Sequence, residues 1–387
     1  MVTLTNADNA LKSLYLEALS NQLNTATNPL YNRFVSTERD VWGKEIIKLA
    51  PYGMNGGIGA GTESGNLPVS AGNNYRQFKQ SLKNLYGTIE ISDKAIRASE
   101  NNAGAFLSLL DAEMDGLLAA SKFNFGRMLF GKGDGVLAVV ESAAQNKVEV
   151  DSVQYLMEGM VVDFLRGGEA VAGCAARRIT AVDRPNKAVT VSGATLDGLA
   201  GGDQITLQGS YQNELTGLEA IFDSSVDTLY GLSKNENPWL RPYTAAVSEI
   251  TEAEIQKVID ELEAASGSAP DYIVCSYGVR RAFQNHMRQM SSNLDFMNLE
   301  GGFRALSYNG IPLVADRFCP KGTMYILSAK DFNLHQLCDW RWLEGENGRV
   351  LKQVAGKPSY TATLVKYADL ICNKPNAQAK LTGITEA

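Results

Sequence analysis

Histidine is nearly missing from this chain. Its 387 residues hold only His286 and His335, 49 positions apart. A catalytic or metal-binding role would need partners that no nearby spacing supplies, so the simpler reading is an imidazole on a basic helix and another on a strand. The five cysteines are Cys174, Cys275, Cys319, Cys338 and Cys372. Their number is odd and no CxxC occurs, which argues against a disulfide framework or a zinc site and for free thiols in a reducing compartment. GxSxG, HExxH and P-loop patterns are absent. The carboxylates Asp223, Asp227, Asp316 and Asp339 have no spacing that selects an acid–base pair. No catalytic, metal-binding or cofactor-binding residue is therefore nominated, no cofactor is expected, and an enzyme is not expected. No apolar run approaches the roughly 20 residues of a membrane span. The start, MVTLTNADNALKSLYLEAL, lacks the basic and apolar regions of a secretory signal. A chain starting at Met1 is also expected to have lost no propeptide. The net charge of −7 and pI near 5.2 argue against a protein whose main task is neutralising phosphates, while leaving room for a wall that merely encloses nucleic acid.

What is present is an ordinary globular composition, 44% hydrophobic and 20% charged, long enough for two or three domains. The exception is residues 53–74, GMNGGIGAGTESGNLPVSAGNN, with seven glycines and little that could fill a core. Such a segment stays mobile or is ordered by a neighbouring molecule, which points to a chain completed by copies of itself. Gly57-Ile58-Gly59-Ala60-Gly61-Thr62 superficially suggests a phosphate cradle. It lacks the preceding strand, the following helix and the lysine, and reads as a flexible loop.

Along the chain, residues 1–50 carry a weak amphipathic stretch at Leu11, Leu14, Tyr15, Ala18 and Leu19, read as an extended arm with a short helix. Residues 75–92 turn strand-like, with Leu85, Gly87, Ile89 and Ile91 in one row. With the glycine-rich stretch they predict a long two-stranded loop projecting from the body. Phe106, Leu110, Met114, Leu117, Ser121, Phe125 and Met128 predict a helix over 102–131, capped by Asn101 or Asn102 and stopped by Gly131 and Gly133. Its length would be roughly 42 Å at 1.5 Å per residue. Residues 145–212 offer five short strands, Lys147–Val150, Met160–Leu165, Arg177–Val182, Ala188–Val191 and Gln204–Leu207, which suggest a small inserted barrel. Its flanks, DGVLAVVES and ELTGLEAIFD, read as parts of the main body. Beyond 251 the pattern is α+β. Thr251 and Glu254 form a capping box ahead of a helix that Gly267 ends. DYIVCS is a buried strand, GVRRAFQNHMRQM a helix, and FRALSYNGIPLVAD a hairpin turning at Asn309-Gly310. MYIL, LHQLCDWRWL, RVLKQV and TATLVKYADLIC supply further strands, with a turn at Asn347-Gly348. Trp340 and Trp342 alternate and so share one face, a core pair by default. Arg280, Arg281, His286 and Arg288 lie along one helix and face nucleic acid or an acidic neighbour, or else form a solvated surface, the simpler reading; Arg177 and Arg178 are read the same way.

The order of these parts resembles the major capsid protein of tailed bacteriophages, the Hong Kong 97-type fold. LKNLYGTIEIS is similar to the returning strand of that fold's extended loop. GLEAIFD, LYGLSKNENPWLRP, PDYIVCSYGVRRAF and FRALSYNGIPLVADRFCPKGTMYIL follow its peripheral-to-axial succession, and QLCDWRWLEGENGRVLKQVAGKPSYTATLVKYADLIC resembles its closing strands. The resemblance implies an α+β fold divided as follows: an N-terminal arm (1–52), an extended β-loop (53–92), a spine helix with the first part of the peripheral domain (93–144), an inserted small β-barrel (145–212), the second peripheral part (213–240), an axial domain (241–330) and closing strands (331–387). It implies hexamers and pentamers of this chain in an icosahedral shell around double-stranded DNA held without sequence-specific binding. It also implies a virion location after assembly in the host bacterial cytoplasm, no membrane association, a portal, a separate scaffolding protein and possible decoration proteins. The contacts between copies are expected at Arg33, Trp42, Gly57, Gly59, Gly61, Glu63, Tyr75, Arg76 and Lys79, and the nucleic-acid face at Arg280, Arg281 and Arg288. The barrel is expected to stabilise the shell. The chain lacks a long charged N-terminal scaffolding region, and no lysine–asparagine pair stands out to join copies covalently, although Lys79 and Lys83 lie near the loop. Non-covalent shells are expected. Competing readings are an encapsulin-like nanocompartment shell, a surface adhesion or carbohydrate-binding protein, and an enzyme with an unrecognised site.

Overall fold

A computed structural model describes residues 8, 11–25, 27–94, 103–290, 296–298, 304–345 and 348–387. The proposed helix caps Asn101 and Asn102, the side chains of Phe106 and Leu14, and Asn347 of the last turn lie outside the described residues.

The long helix spans Ala103–Met128. Leu110, Met114, Phe125 and Met128 are buried along it, and this stripe lies across the strand Lys83–Ser92, whose Leu85, Ile89 and Ile91 point inward. Gly87 completes that row for a steric reason: a Cβ there would come within 2.8 Å of Leu117 Cδ1. The strand's partner is Ser359–Cys372, paired antiparallel from Ser92↔Ser359 to Lys83↔Ala368. That strand is in turn flanked by Phe332–Trp342. LKNLYGTIEIS is therefore part of the body sheet and not the returning strand of the projecting loop. The inward row needs a helix to cover it, and the helix lies in the body.

The projecting element starts earlier. Glu45–Tyr52 and Asn74–Ser81 pair antiparallel in unbroken register, Glu45↔Ser81 to Tyr52↔Asn74. The expected division at residue 53 thus falls inside one hairpin.

The first segment carries the expected short helix, but that helix is docked on the body and not held out on an extended arm. Leu11–Tyr15 forms a π-helical turn continuing into the helix Leu16–Thr25. Leu11, Leu19 and Leu23 recur at helical spacing and are buried, as is Leu30. They pack on the strand Phe332–Trp342 and the long helix. Trp342 Nε1 donates to the Leu11 carbonyl at 2.9 Å, and Asp8 Oδ1 accepts from the backbone of Val350 and Leu351 at 2.6 and 3.1 Å. Trp340 and Trp342 are both buried, as their shared face suggested.

The inserted barrel has six strands. Val136–Ala144 joins Lys147–Val150, Val161–Arg166, Arg177–Asp183, Ala188–Val191 and Gln204–Leu207, and the cylinder closes where Arg177 pairs Val162. The sixth strand, VLAVV, belongs to the barrel and not to the main body as its sequence suggests, because its apolar run fits any buried strand. Its pairings with Lys147–Val150 and Gln204–Leu207 decide between them. Val148, Val150, Leu156, Val162, Phe164 and Ile205 fill the interior. Entry and exit meet where Gln212 N–H donates to the Asp134 carbonyl at 2.9 Å.

A seven-stranded sheet forms the remaining body, in the order Tyr243–Ala246, Ala379–Thr382, Met324–Leu327, Tyr272–Cys275, Ile311–Ala315, Arg304–Tyr308, Phe296–Asn298. The helices Glu252–Ser266 and Tyr277–Gln289 pack on it through Ile255, Val258, Leu262, Val279 and Phe283. The N-cap half of the expected capping box is formed, Thr251 Oγ1 accepting from Glu254 N–H, and Gly267 ends the helix at φ +65°. Asn309 and Gly310 both have positive φ, 48° and 78°, the geometry that makes Asn-Gly a hairpin turn.

Candidate interaction surface

Four aromatic rings hold the hairpin to the body. Phe78 is fully buried, 5.1 Å from the Tyr230 ring and 5.9 Å from Trp239, and Tyr52 stacks on Trp239 at 5.3 Å. Lys79 N–H donates to the Tyr230 carbonyl at 2.9 Å. Gln80 reaches Asp369 at 2.9 Å. Asp369 is fully buried and also accepts from Thr216 N–H and Oγ1, so one carboxylate ties the hairpin, the 216 segment and the closing strand. Burial pushes its carboxyl up against those hydrogen bonds.

Beyond Tyr52 and Asn74 the ladder stops, and two glycine-rich legs run side by side. A Cβ on Gly56 would sit 3.1 Å from Ala71, and one on Gly59 would sit 3.1 Å from Pro68. Asn55 Nδ2 donates to Asn73 Oδ1 at 3.0 Å, and Gly65 N–H closes the end on Thr62. The legs approach closely because glycines on the outgoing leg leave room for the Ala71 and Pro68 side chains of the returning one. Met54, Ile58, Leu67 and Val69 point away and are 84 to 89% exposed. Glu63 is the only ionisable residue from 53 to 74.

The structure brings most of the sequence-nominated contact residues to this projection. Gly57, Gly59, Gly61 and Glu63 lie in the tip, and Tyr75, Arg76 and Lys79 on the returning strand, with Arg76 over the Tyr52 ring at 5.8 Å. Trp42 is exposed on the short strand Val41–Trp42, which pairs with the hairpin. Arg33 lies elsewhere, its guanidinium 5.2 Å over the Tyr272 ring of the seven-stranded sheet. The exposed apolar residues Val35, Leu49, Met54, Ile58, Leu67 and Val69 were not nominated. The available signal was hydrophobic residues embedded among glycines that could not bury them.

The nominated arginines share a helix, but only Arg281 and Arg288, seven positions apart, share its exposed face. Arg280 is half-buried over the Tyr277 ring at 5.7 Å, Arg281 Nε donates to the Ala387 carbonyl at 2.5 Å, and Arg288 is exposed. Both histidines follow the simpler reading: His286 is on that helix and His335 is buried on a strand, its Nδ1 2.9 Å from the Arg39 carbonyl. Among the described residues no group of three or more His, Cys, Asp or Glu could hold a metal ion, and no helix is long and apolar enough to cross a membrane.

The chain thus combines a hairpin projecting from a helix-covered sheet with a second mixed sheet flanked by two helices. No protein-family model and no curated protein matches this chain. Among solved structures it is similar to a subunit of the cyanophage A-1(L) capsid, at 13% identity and TM-score 0.53, covering 96% of this chain and 93% of that one. The capsid of a native GTA particle gives 12% identity and TM-score 0.48 over 93% and 91%. The SrpI encapsulin of Synechococcus elongatus PCC 7942 gives 9% and 0.46 over 93% and 89%. The first of these carries the fold assignment: the chain has the Hong Kong 97-type capsid fold.

Proposed function

We propose that this chain is the major capsid protein of a tailed bacteriophage, a structural protein whose copies assemble as hexamers and pentamers into an icosahedral shell around double-stranded DNA. The observation that carries this reading is the projecting hairpin. Its tip presents four large apolar side chains to solvent, with Glu63 the one ionisable residue among them, and the described residues of the subunit offer them no cover. Burying each contributes about 1.5–3 kcal/mol, a modest gain per copy that many simultaneous overlaps multiply. Arg76, Lys79, Tyr75 and Trp42 extend that contact face, and Arg33 joins a different part of it.

In this reading residues 45–81 form the extended loop. The long helix with the sheet around Ser359–Cys372 forms the peripheral domain, and the seven-stranded sheet with its two helices forms the axial domain at the capsomer centre. Arg281 and Arg288 are the candidate cations facing DNA. A portal, a separate scaffolding protein and decoration proteins are the expected partners, the virion the expected location and the host cytoplasm the place of assembly.

The test is expression of the chain alone and with its neighbouring gene product, followed by size-exclusion chromatography and negative-stain microscopy. Closed shells, tubes or capsomer rings are expected from at least one of the two. A monomer of about 42 kDa under both conditions would overturn the reading. Shells that carry only protein cargo in their native host would favour a nanocompartment instead.

A further inference from the structure

Lys366 lies on the closing strand with its side chain 1% exposed. Its Nζ donates to Asp339 Oδ1 at 2.9 Å and to Asn24 Oδ1 at 3.4 Å. Asn24 belongs to the N-terminal helix, 342 residues away. The same aspartate reaches the other end of the amide, Oδ2 accepting from Asn24 Nδ2 at 2.9 Å. Tyr31 Oη, from a buried residue, donates to Asn24 Oδ1 at 3.3 Å. The Trp340 ring, 5.5 Å from Nζ, walls the amine.

The arrangement is built by a strand irregularity. Pairing runs Cys338↔Tyr367 and then Arg341↔Val365, so Asp339 and Trp340 together face Lys366 alone. Such a bulge redirects side chains, and here it aims the carboxylate and the indole at the amine. Burial lowers the lysine's proton affinity, opposed by the aspartate.

We propose that Lys366 and Asn24 join as an intramolecular isopeptide bond, with Asp339 as the proton carrier. The ammonium of Lys366 gives a proton to Asp339, and the freed amine attacks Asn24 Cγ. The developing oxyanion is met by the Tyr31 hydroxyl. As the C–N bond to the side-chain nitrogen breaks, Asp339 returns its proton to that nitrogen, and a second proton follows from the attacking amine. Ammonium leaves and a secondary amide remains. Charge and atoms balance, and no oxidant or second substrate is needed. The bond lies within one subunit, so it fastens the N-terminal helix to the closing strand without linking copies. It does not depend on the shell reading.

Electrospray mass spectrometry of the purified full chain tests this. The expected intact mass is about 17 Da below the sequence mass through loss of ammonia, with a branched proteolytic peptide joining residues 24 and 366. Lys366→Met and Asn24→Ala restore the mass expected for each sequence, and Asp339→Asn slows the loss. Wild-type protein at full sequence mass, with linear peptides carrying intact Asn24 and Lys366, overturns the proposal. A deficit that persists in Lys366→Met, as a succinimide at Asn24 would give, overturns it too. The wild-type measurement decides even where a variant fails to fold.

Discussion

Gly126 lies where the long helix meets the loop from Asp316 to Cys319. A Cβ at that position would come within 2.2 Å of Phe318 Cε2, on a ring that also packs edge-on against Phe123 at 5.2 Å. Gly126→Ala is expected to destabilise the subunit by about 1–3 kcal/mol, the usual cost of overpacking, although alanine is the better helix former. Chemical denaturation of dissociated subunits checks it, and an unchanged midpoint would contradict the contact. His335 supplies a pH dependence. Burial holds its imidazole below the ordinary 6.5, with Lys48 adding to this and the Arg39 carbonyl and Asp40 opposing it. The unfolded chain therefore takes up the proton first. Stability is full above about 6.5 and falls as pH drops towards the folded value. Asp316 works the other way. Its buried carboxyl is raised to about 6, so it favours the folded state as pH falls below that value. The two partly cancel in the wild type. Relative to the wild type, His335→Gln is expected to gain stability as pH falls from about 7 to about 5, the range in which histidine titrates; parallel curves for the two proteins would refute this. Neither effect was legible in the sequence. A lone glycine in a helix and a lone histidine in a strand acquire meaning only from what packs on them.

At the scale of elements, periodic patterns were read well and partners were not. The helix stripe, the N-cap at Thr251, the Asn309-Gly310 turn and the strand MYIL stand where local rules put them, because each depends on neighbours a few residues away. Two strands were assigned to the wrong sheet. LKNLYGTIEIS and VLAVV both carry the residues of buried strands, and choosing their partners required contacts hundreds and tens of residues distant. The barrel illustrates the consequence. Its ends meet at Asp134 and Gln212, and its 154–155 segment braces the body, with Gln154 Nε2 donating to the Arg317 and Cys319 carbonyls at 2.9 and 3.1 Å and Tyr155 Oη to the Phe318 carbonyl at 2.8 Å. Among the described residues, none of the large exposed apolar side chains lies on it. We propose that it stabilises its own subunit and faces solvent. Replacing 136–207 with a short linker is expected to lower the thermal midpoint of assembled particles while leaving the rest of the fold in place. Unchanged assembly together with unchanged stability would sink this role.

For the whole molecule, the projecting tip and the docked N-terminal helix behave oppositely. Leu11, Leu19 and Leu23 find cover in their own subunit, whereas Met54, Ile58, Leu67 and Val69 do not. The difference lies in reach. The helix folds back over the closing sheet, while the hairpin leaves the body at Tyr52 and Asn74 and carries its apolar groups away from the other described residues. Assembled particles are expected to dissolve to a single band near 42 kDa on a denaturing gel, because the contacts at the tip are non-covalent and the proposed Lys366–Asn24 bond is internal. A ladder of multiples would show that copies are joined covalently.

Composition and local spacing alone determined that no familiar catalytic motif is present, that a long helix follows a strand, that a small β-rich unit interrupts the chain, and that residues 53–74 cannot support themselves. Each of these is a property of residue types and of neighbours within one or two turns. Tertiary structure alone decided that the first helix docks on its own subunit, that VLAVV closes the barrel, that the hairpin begins at Glu45, and that Asn24, Asp339 and Lys366 meet. These depend on long-range pairing, where burial of apolar area is non-directional and many partners would satisfy the same stripe, so only the complete set of competing contacts selects one.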